Sequence, residues 1–146
     1  MTTACAYSFT VSLRFFHPFM KWEEFAAILG MSPEFSWNAG EPRKTPKGTP
    51  LEGIRKETYA SFMLTERSSA DLEGFLTDVV EMLERKKGFF ERLSATGGRQ
   101  EFFIGVFAKA DMAFDLDPSL LAKMGDLGIQ FSLCFYLQDG GVATTP

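Results

Sequence analysis

His17 is the only histidine in the chain, so any imidazole chemistry falls to it. A zinc site would need further His, Cys or carboxylate ligands at short spacing, and H-E-x-x-H is absent. A Ser-His-Asp or Cys-His arrangement would have to use His17, yet no G-x-S-x-G turn presents a nucleophile. The context FFHPF reads more simply as the end of a strand. Asp111, Asp115, Asp117 and Asp126 suggest calcium. A calcium loop, however, needs Gly at position 6 and Glu at position 12. Counted from Asp115, those positions hold Leu120 and Asp126, and Pro118 interrupts. Asp117 followed by Pro118 is better read as an N-cap followed by proline at the first helical position. Neither phosphate-binding glycine signature occurs. Gly97-Gly98-Arg99 joins a helix to a strand, the wrong order for helix N-terminal amides to face a phosphate. Cys5 and Cys134 form no C-x-x-C and read as small buried thiols. The expectation is no catalytic residue, no metal and no cofactor.

The stretch GEPRKTPKGTPLEG, residues 40–53, is different in kind. It packs three prolines, three glycines and three basic residues into 14 positions. Across residues 40–57, five basic residues stand against three acidic ones. The local net charge is therefore +2, while the chain as a whole carries −4. A basic, proline-stiffened segment on an acidic body suits an acidic protein partner or a small anionic ligand. It also suits a solvated surface loop pinned in place. Trp37 either anchors this segment to the core or contacts a partner. The candidate binding residues are Trp37, Arg43, Lys44 and Lys47.

The elements around this segment follow from periodicity. Residues 7–15 alternate, with Tyr7, Phe9, Val11, Leu13 and Phe15 on one face, which makes a strand. Trp22, Phe25, Ala26 and Leu29 form a helical stripe that ends at Gly30. Residues 31–58 keep no period and form a long insertion, with a short strand pair expected around FSWNAG and GIRKETY. Insertions of this length are usually functional or disordered. Residues 57–66 read as a strand. Ser68 or Ser69 can cap the next helix, whose stripe is Leu72, Phe75, Leu76, Val79, Val80 and Leu83. Gly88 stops or bends it, and FFERL adds a turn. Residues 101–109 are apolar on both faces and belong inside the sheet. Leu120, Leu121, Met124 and Leu127 form the inner face of the last helix, and residues 129–137 alternate again. The Leu-Gly-apolar endings at residues 29–31 and 127–129 raise the idea of two βαβ units.

The fold class is therefore α+β. We expect a two-layer sandwich with a mixed sheet of four or five strands and about three helices, in the order β-α-(long loop)-β-α-β-α-β. One domain spans residues 1–138, with a disordered tail at 139–146. The 16 Phe residues predict an aromatic core. Ser8, Thr10, Ser12, Arg14, Gln130, Ser132 and Tyr136 would share a polar sheet face if the first and last strands lie in one sheet, and that face could serve a dimer. The acidic charge disfavours nucleic acid and anionic membranes. RQEFFIGVF also does not match the RNA-binding string of aromatic sheets. No signal sequence or membrane span is read, so a bacterial cytoplasmic location is the expectation.

Several motifs carry a family resemblance: FAAILGMSP, SWNAGEPRKTPKGTP, YASFML, the long helix and LGIQFSLCFY. Over residues 7–137 the chain resembles the small bacterial proteins grouped as domain of unknown function 4279. The resemblance implies an α+β domain and no reaction, because that family has no established activity or catalytic residues. The basic RKTPKGTP looks like a variant of the family's loop. The expected role is a non-enzymatic protein-interaction domain using the 31–58 segment. Alternatives are a small-ligand or anion-binding domain, or an immunity-type protein that neutralises a toxin. A homodimer is also among the expected assemblies.

Overall fold

A computed structural model describes residues 7–138. Cys5 and the expected disordered tail at 139–146 lie outside the described residues. The first strand, β1 (Tyr7–His17), buries every second residue, and Phe9, Val11, Leu13 and Phe15 are fully inaccessible. This strand is the centre of a five-stranded sheet. The helix α1 (Trp22–Leu29) follows and ends on Gly30, whose φ of 67° places it in the left-handed region that glycine enters at least cost. Next come β2 (Phe35–Trp37), β3 (Pro42–Lys44), β4 (Pro50–Ile54) and β5 (Thr58–Ser68). The chain then forms α2 (Leu72–Glu84), α3 (Lys87–Ala95), β6 (Arg99–Ala108), α4 (Pro118–Asp126) and β7 (Ile129–Leu137).

The sheet order is β2-β5-β1-β6-β7. All pairings are antiparallel except β6 with β7, which run parallel and are joined by α4 as a crossover. The architecture is α+β with a mixed sheet, as expected, but the described residues contain four helices and an additional two-stranded sheet of β3 and β4. The fourth helix arises after Glu84. Continuing α2's stripe would bring Lys86 and Lys87 to the core. The chain breaks there instead, and α3 turns Phe89, Phe90 and Leu93 inward. The α2 cap is Asp71, not Ser68 or Ser69: its carboxylate accepts from the Gly74 N–H at 2.9 Å. Asp117 caps α4, accepting from the Ser119 N–H at 2.9 Å. Leu121 is not on α4's inner face; it is 47% exposed, while Leu120, Met124 and Leu127 are buried.

Two equivalent βαβ units are not formed. The echo extends to the two left-handed glycines, Gly30 and Gly128, but β6 and β7 are parallel neighbours, whereas β1 pairs antiparallel with β5 and is parallel to β2 with β5 between them. The core is aromatic. Phe15 stacks on Phe25 at 4.9 Å between centroids and meets Phe62 and Phe90 at 5.7 and 6.0 Å. All four helices contribute apolar residues to this one cluster, so they share one side of the sheet and leave its other face open.

Candidate functional site

The 31–58 segment is an ordered hairpin held against the sheet edge. The expected pair around FSWNAG and GIRKETY forms in part, with Trp37 against Tyr59 and Gly40 bonded to Arg55. Phe35, Ser36 and Trp37 pair with Ser61, Ala60 and Tyr59 of β5, while β3 pairs with β4. Trp37 lies on Tyr59, with centroids 4.8 Å apart, and the Arg55 guanidinium lies 3.8 Å over the Trp37 ring. Arg55 also donates from Nη2 to the Lys44 carbonyl at 2.7 Å, so it ties β3 to the indole. Gly40 N–H donates to the Arg55 carbonyl and Arg55 N–H to the Glu41 carbonyl, both at 2.8 Å.

Asn38 fastens the hairpin's base to the body. Its Oδ1 accepts from the Trp22 N–H at 2.8 Å, serving as the cap that Lys21 does not provide for α1. Its own N–H donates to Glu41 Oε2 at 2.8 Å. Thr58 Oγ1 accepts from the Ala39 N–H at 2.9 Å. A polar, glycine-rich segment is thus ordered by side chains that substitute for a core.

Between β2 and the hairpin lies a concavity of about 270 Å³, lined by Phe35, Trp37, Glu41, Lys44 and Arg55 among others. Phe35 is 47% exposed there. β2 is the outermost strand, so its far edge pairs with no strand among the described residues. Of the four candidate residues, Trp37 and Lys44 line this concavity. Arg43 is exposed and donates to the Glu52 carbonyl at 3.1 Å across the hairpin. Lys47 is exposed in the turn between β3 and β4, next to Pro46, and does not itself line the concavity. Asn38, Glu41 and Arg55 are the residues that sequence reasoning missed. Trp37 was the available signal, since a ring in a polar segment needs a cover and the nearby cations include Arg55.

The open sheet face is a second surface. β1, β6 and β7 are neighbours, so Ser8, Thr10, Ser12, Arg14, Gln130, Ser132 and Tyr136 do share one face. The face is not simply polar. Arg14 lies 3.7 Å over Phe103, Arg67 4.0 Å over Phe107, and Arg99 3.8 Å over Phe16. Arginine planes therefore roof the rings that β6 and β1 turn away from the core. Glu101 sits among them, accepting from Gln130 Nε2 at 3.1 Å and lying 3.5 Å from Arg14. Cys134, expected to be buried, is half-buried on this face beside Tyr136.

A family model described as Domain of unknown function (DUF4279) matches residues 6–138. The chain belongs to this family. No curated protein and no solved structure matches it. The match runs from before β1 to the end of β7, so the hairpin and both sheet surfaces fall within the DUF4279 domain. Among the described residues no three His, Cys, Asp or Glu side chains cluster to hold a metal ion. None of the described helices is long and apolar enough to cross a membrane.

Proposed function

We propose that this chain is a non-enzymatic protein-interaction domain of the bacterial cytoplasm, and that it takes an acidic, extended segment of a partner protein at the 31–58 hairpin. The observation that carries the reading is the unpaired edge of β2 beside exposed Phe35 and Lys44, in a concavity that Arg55 and Trp37 hold open. A partner strand laid along β2 would satisfy backbone groups, which gives affinity, while pockets for its alternate side chains give specificity. Its carboxylates would meet Lys44, with Arg43 and Lys47 supplying longer-range attraction. Sites for drug-sized ligands typically enclose about 300–1,000 Å³. The concavity of about 270 Å³ is therefore better matched to a side chain or two of a bound segment than to a whole ligand. A toxin neutralised by an immunity-type domain is one partner of this description.

The test is a photo-crosslinking amino acid placed at Phe35, followed by identification of the captured protein and titration of the purified pair. We expect Lys44→Glu combined with Lys47→Glu to weaken binding at least tenfold, and added salt to weaken the wild-type complex. A complex indifferent to both changes sinks the electrostatic docking. Thermal stabilisation by a small anion, with no protein captured, transfers the site to the ligand reading.

A further inference from the structure

We infer that the chain pairs with a second copy of itself along β7, edge to edge and antiparallel, so that two five-stranded sheets become one. Strand β7 closes the sheet opposite β2, and its outer edge has no partner among the described residues. Its nine residues, IQFSLCFYL, contain no charge, no proline and no glycine. Natural sheets blunt a long free edge with lysine, proline or a bulge, because the unpaired N–H and C=O groups recruit another strand. None of these devices is present here. The opposite edge is only three residues long.

The side chains along this edge are apolar and uncovered. Leu133 is 39% exposed, Phe135 59%, Tyr136 41% and Leu137 80%. The helix layer covers β7 only at its start, where Ile129 is buried and Phe131 packs on the core. Leu121 of α4 extends the patch. On α4, Lys123 faces α2 through its ion pair with Glu84, 3.9 Å away. Leu121 lies about half a turn from Lys123 (roughly 200° at 3.6 residues per turn), which is the side toward the sheet edge.

A second copy fits this edge better than an unrelated strand because the pattern is self-complementary. A two-fold axis midway between Phe135 and its copy pairs positions of equal parity. Leu133, Phe135 and Leu137 then meet the same apolar set of the other copy, and Ser132, Cys134 and Tyr136 meet its polar set. No like charges are opposed. With aromatic side chains of about 150–250 Å², the exposed parts of these five side chains, summed over two copies, come to on the order of 1,000 Å² when wholly covered, so their full burial meets the threshold for a specific interface. The paired backbones add to this. The β2 edge stays free at the far ends of the joined sheet, so this pairing neither needs nor blocks the docking proposed above.

Sedimentation velocity of the full chain decides the matter, read across a dilution series together with amide exchange of Leu133, Phe135 and Leu137, whose N–H groups alternate with those that β6 accepts and so point outward. We expect a concentration-dependent species of twice 16.3 kDa, with these amides protected only when it forms. Phe135→Lys and, separately, Leu137→Lys should weaken association at least tenfold while the far-UV circular dichroism stays unchanged. Leu137 is the more exposed of the two, so its variant answers the question if Phe135→Lys fails to fold. A species of monomer mass at every concentration overturns the proposal. So does a dimer that the variants leave intact, or a monomer in which these three outward amides are already protected by the chain's own residues.

Discussion

His17 is buried at the end of β1, where its ring organises the turn into α1. Nδ1 accepts from the backbone N–H groups of Phe19 at 3.1 Å and Met20 at 2.9 Å, which requires Nδ1 to be unprotonated. Nε2 therefore carries the proton and donates to Thr96 Oγ1 at 2.7 Å, tying the turn to the end of α3. Burial holds the imidazole below its ordinary value of 6.5, opposed in part by the negative charge of Glu24. A group whose native value is lowered contributes stability that is complete above about pH 6.5 and is lost as pH falls toward the native value. Urea unfolding of the wild type should accordingly weaken as pH drops from neutral toward 5, and His17→Gln should flatten that part of the profile. Parallel profiles for the two proteins would remove His17 as the cause. The sequence placed this residue at a strand end, where it lies, but its hydrogen-bond partners were not legible. Thr96 is 79 positions away, and only the closure of α3 against β1 brings the two together.

At the scale of elements, the hairpin illustrates how side chains can order a segment whose composition alone would leave it solvated. Arg55 touches both β3 and Trp37, so it is the latch. Arg55→Ala should cost the hairpin about 0.5–2 kcal/mol, the range for cation–π contacts from exposed to desolvated sites. Native-state amide exchange in β3 and β4 should quicken roughly 2- to 30-fold, while β1 and β6 stay unchanged, since local opening does not draw on the core. Unchanged exchange in β3 and β4 would show that backbone pairing alone holds the hairpin. The sequence left Trp37 as either an anchor to the core or a partner contact, and in the fold it rests on Tyr59 rather than on the core cluster. The pairing around FSWNAG and GIRKETY was readable in part, but the separate pair of β3 with β4 was not. Trp37 prefers Tyr59 of β5 to any residue of β4, because stacking there places the indole between a ring and a guanidinium.

At the scale of the molecule, stability concentrates in one aromatic cluster on a single side of the sheet. Phe15 is its hub, fully buried and within 6.5 Å, centroid to centroid, of Phe25, Phe62, Phe89 and Phe90. Phe15→Ala removes a ring that β1, α1, β5 and α3 all share. We expect a loss of about 3–5 kcal/mol, a large part of the roughly 5–15 kcal/mol that holds a domain together. The urea midpoint should fall with little change in slope. A loss under about 1 kcal/mol would mean the neighbouring rings close the cavity, contrary to close packing.

The long strands of the sheet, the stripes of α1, α2 and α4, the aromatic core and the Asp117-Pro118 start of α4 were determined by the sequence itself. They depend on periodicity, capping chemistry and side-chain volume, all of which act over a few residues. Strand order and the parallel pairing of β6 with β7 depend on contacts between distant residues, and so only the tertiary structure decided them. The same holds for the fate of the rings on the outer face. Phe103 and Phe107 made β6 look buried on both sides. In the folded chain arginines from β1 and β5 cover them instead, because only strand pairing sets Arg14 and Arg67 above those rings. The two unpaired edges are also invisible in one dimension. An edge is defined by the strand that is not beside it, and local sequence carries no record of neighbours.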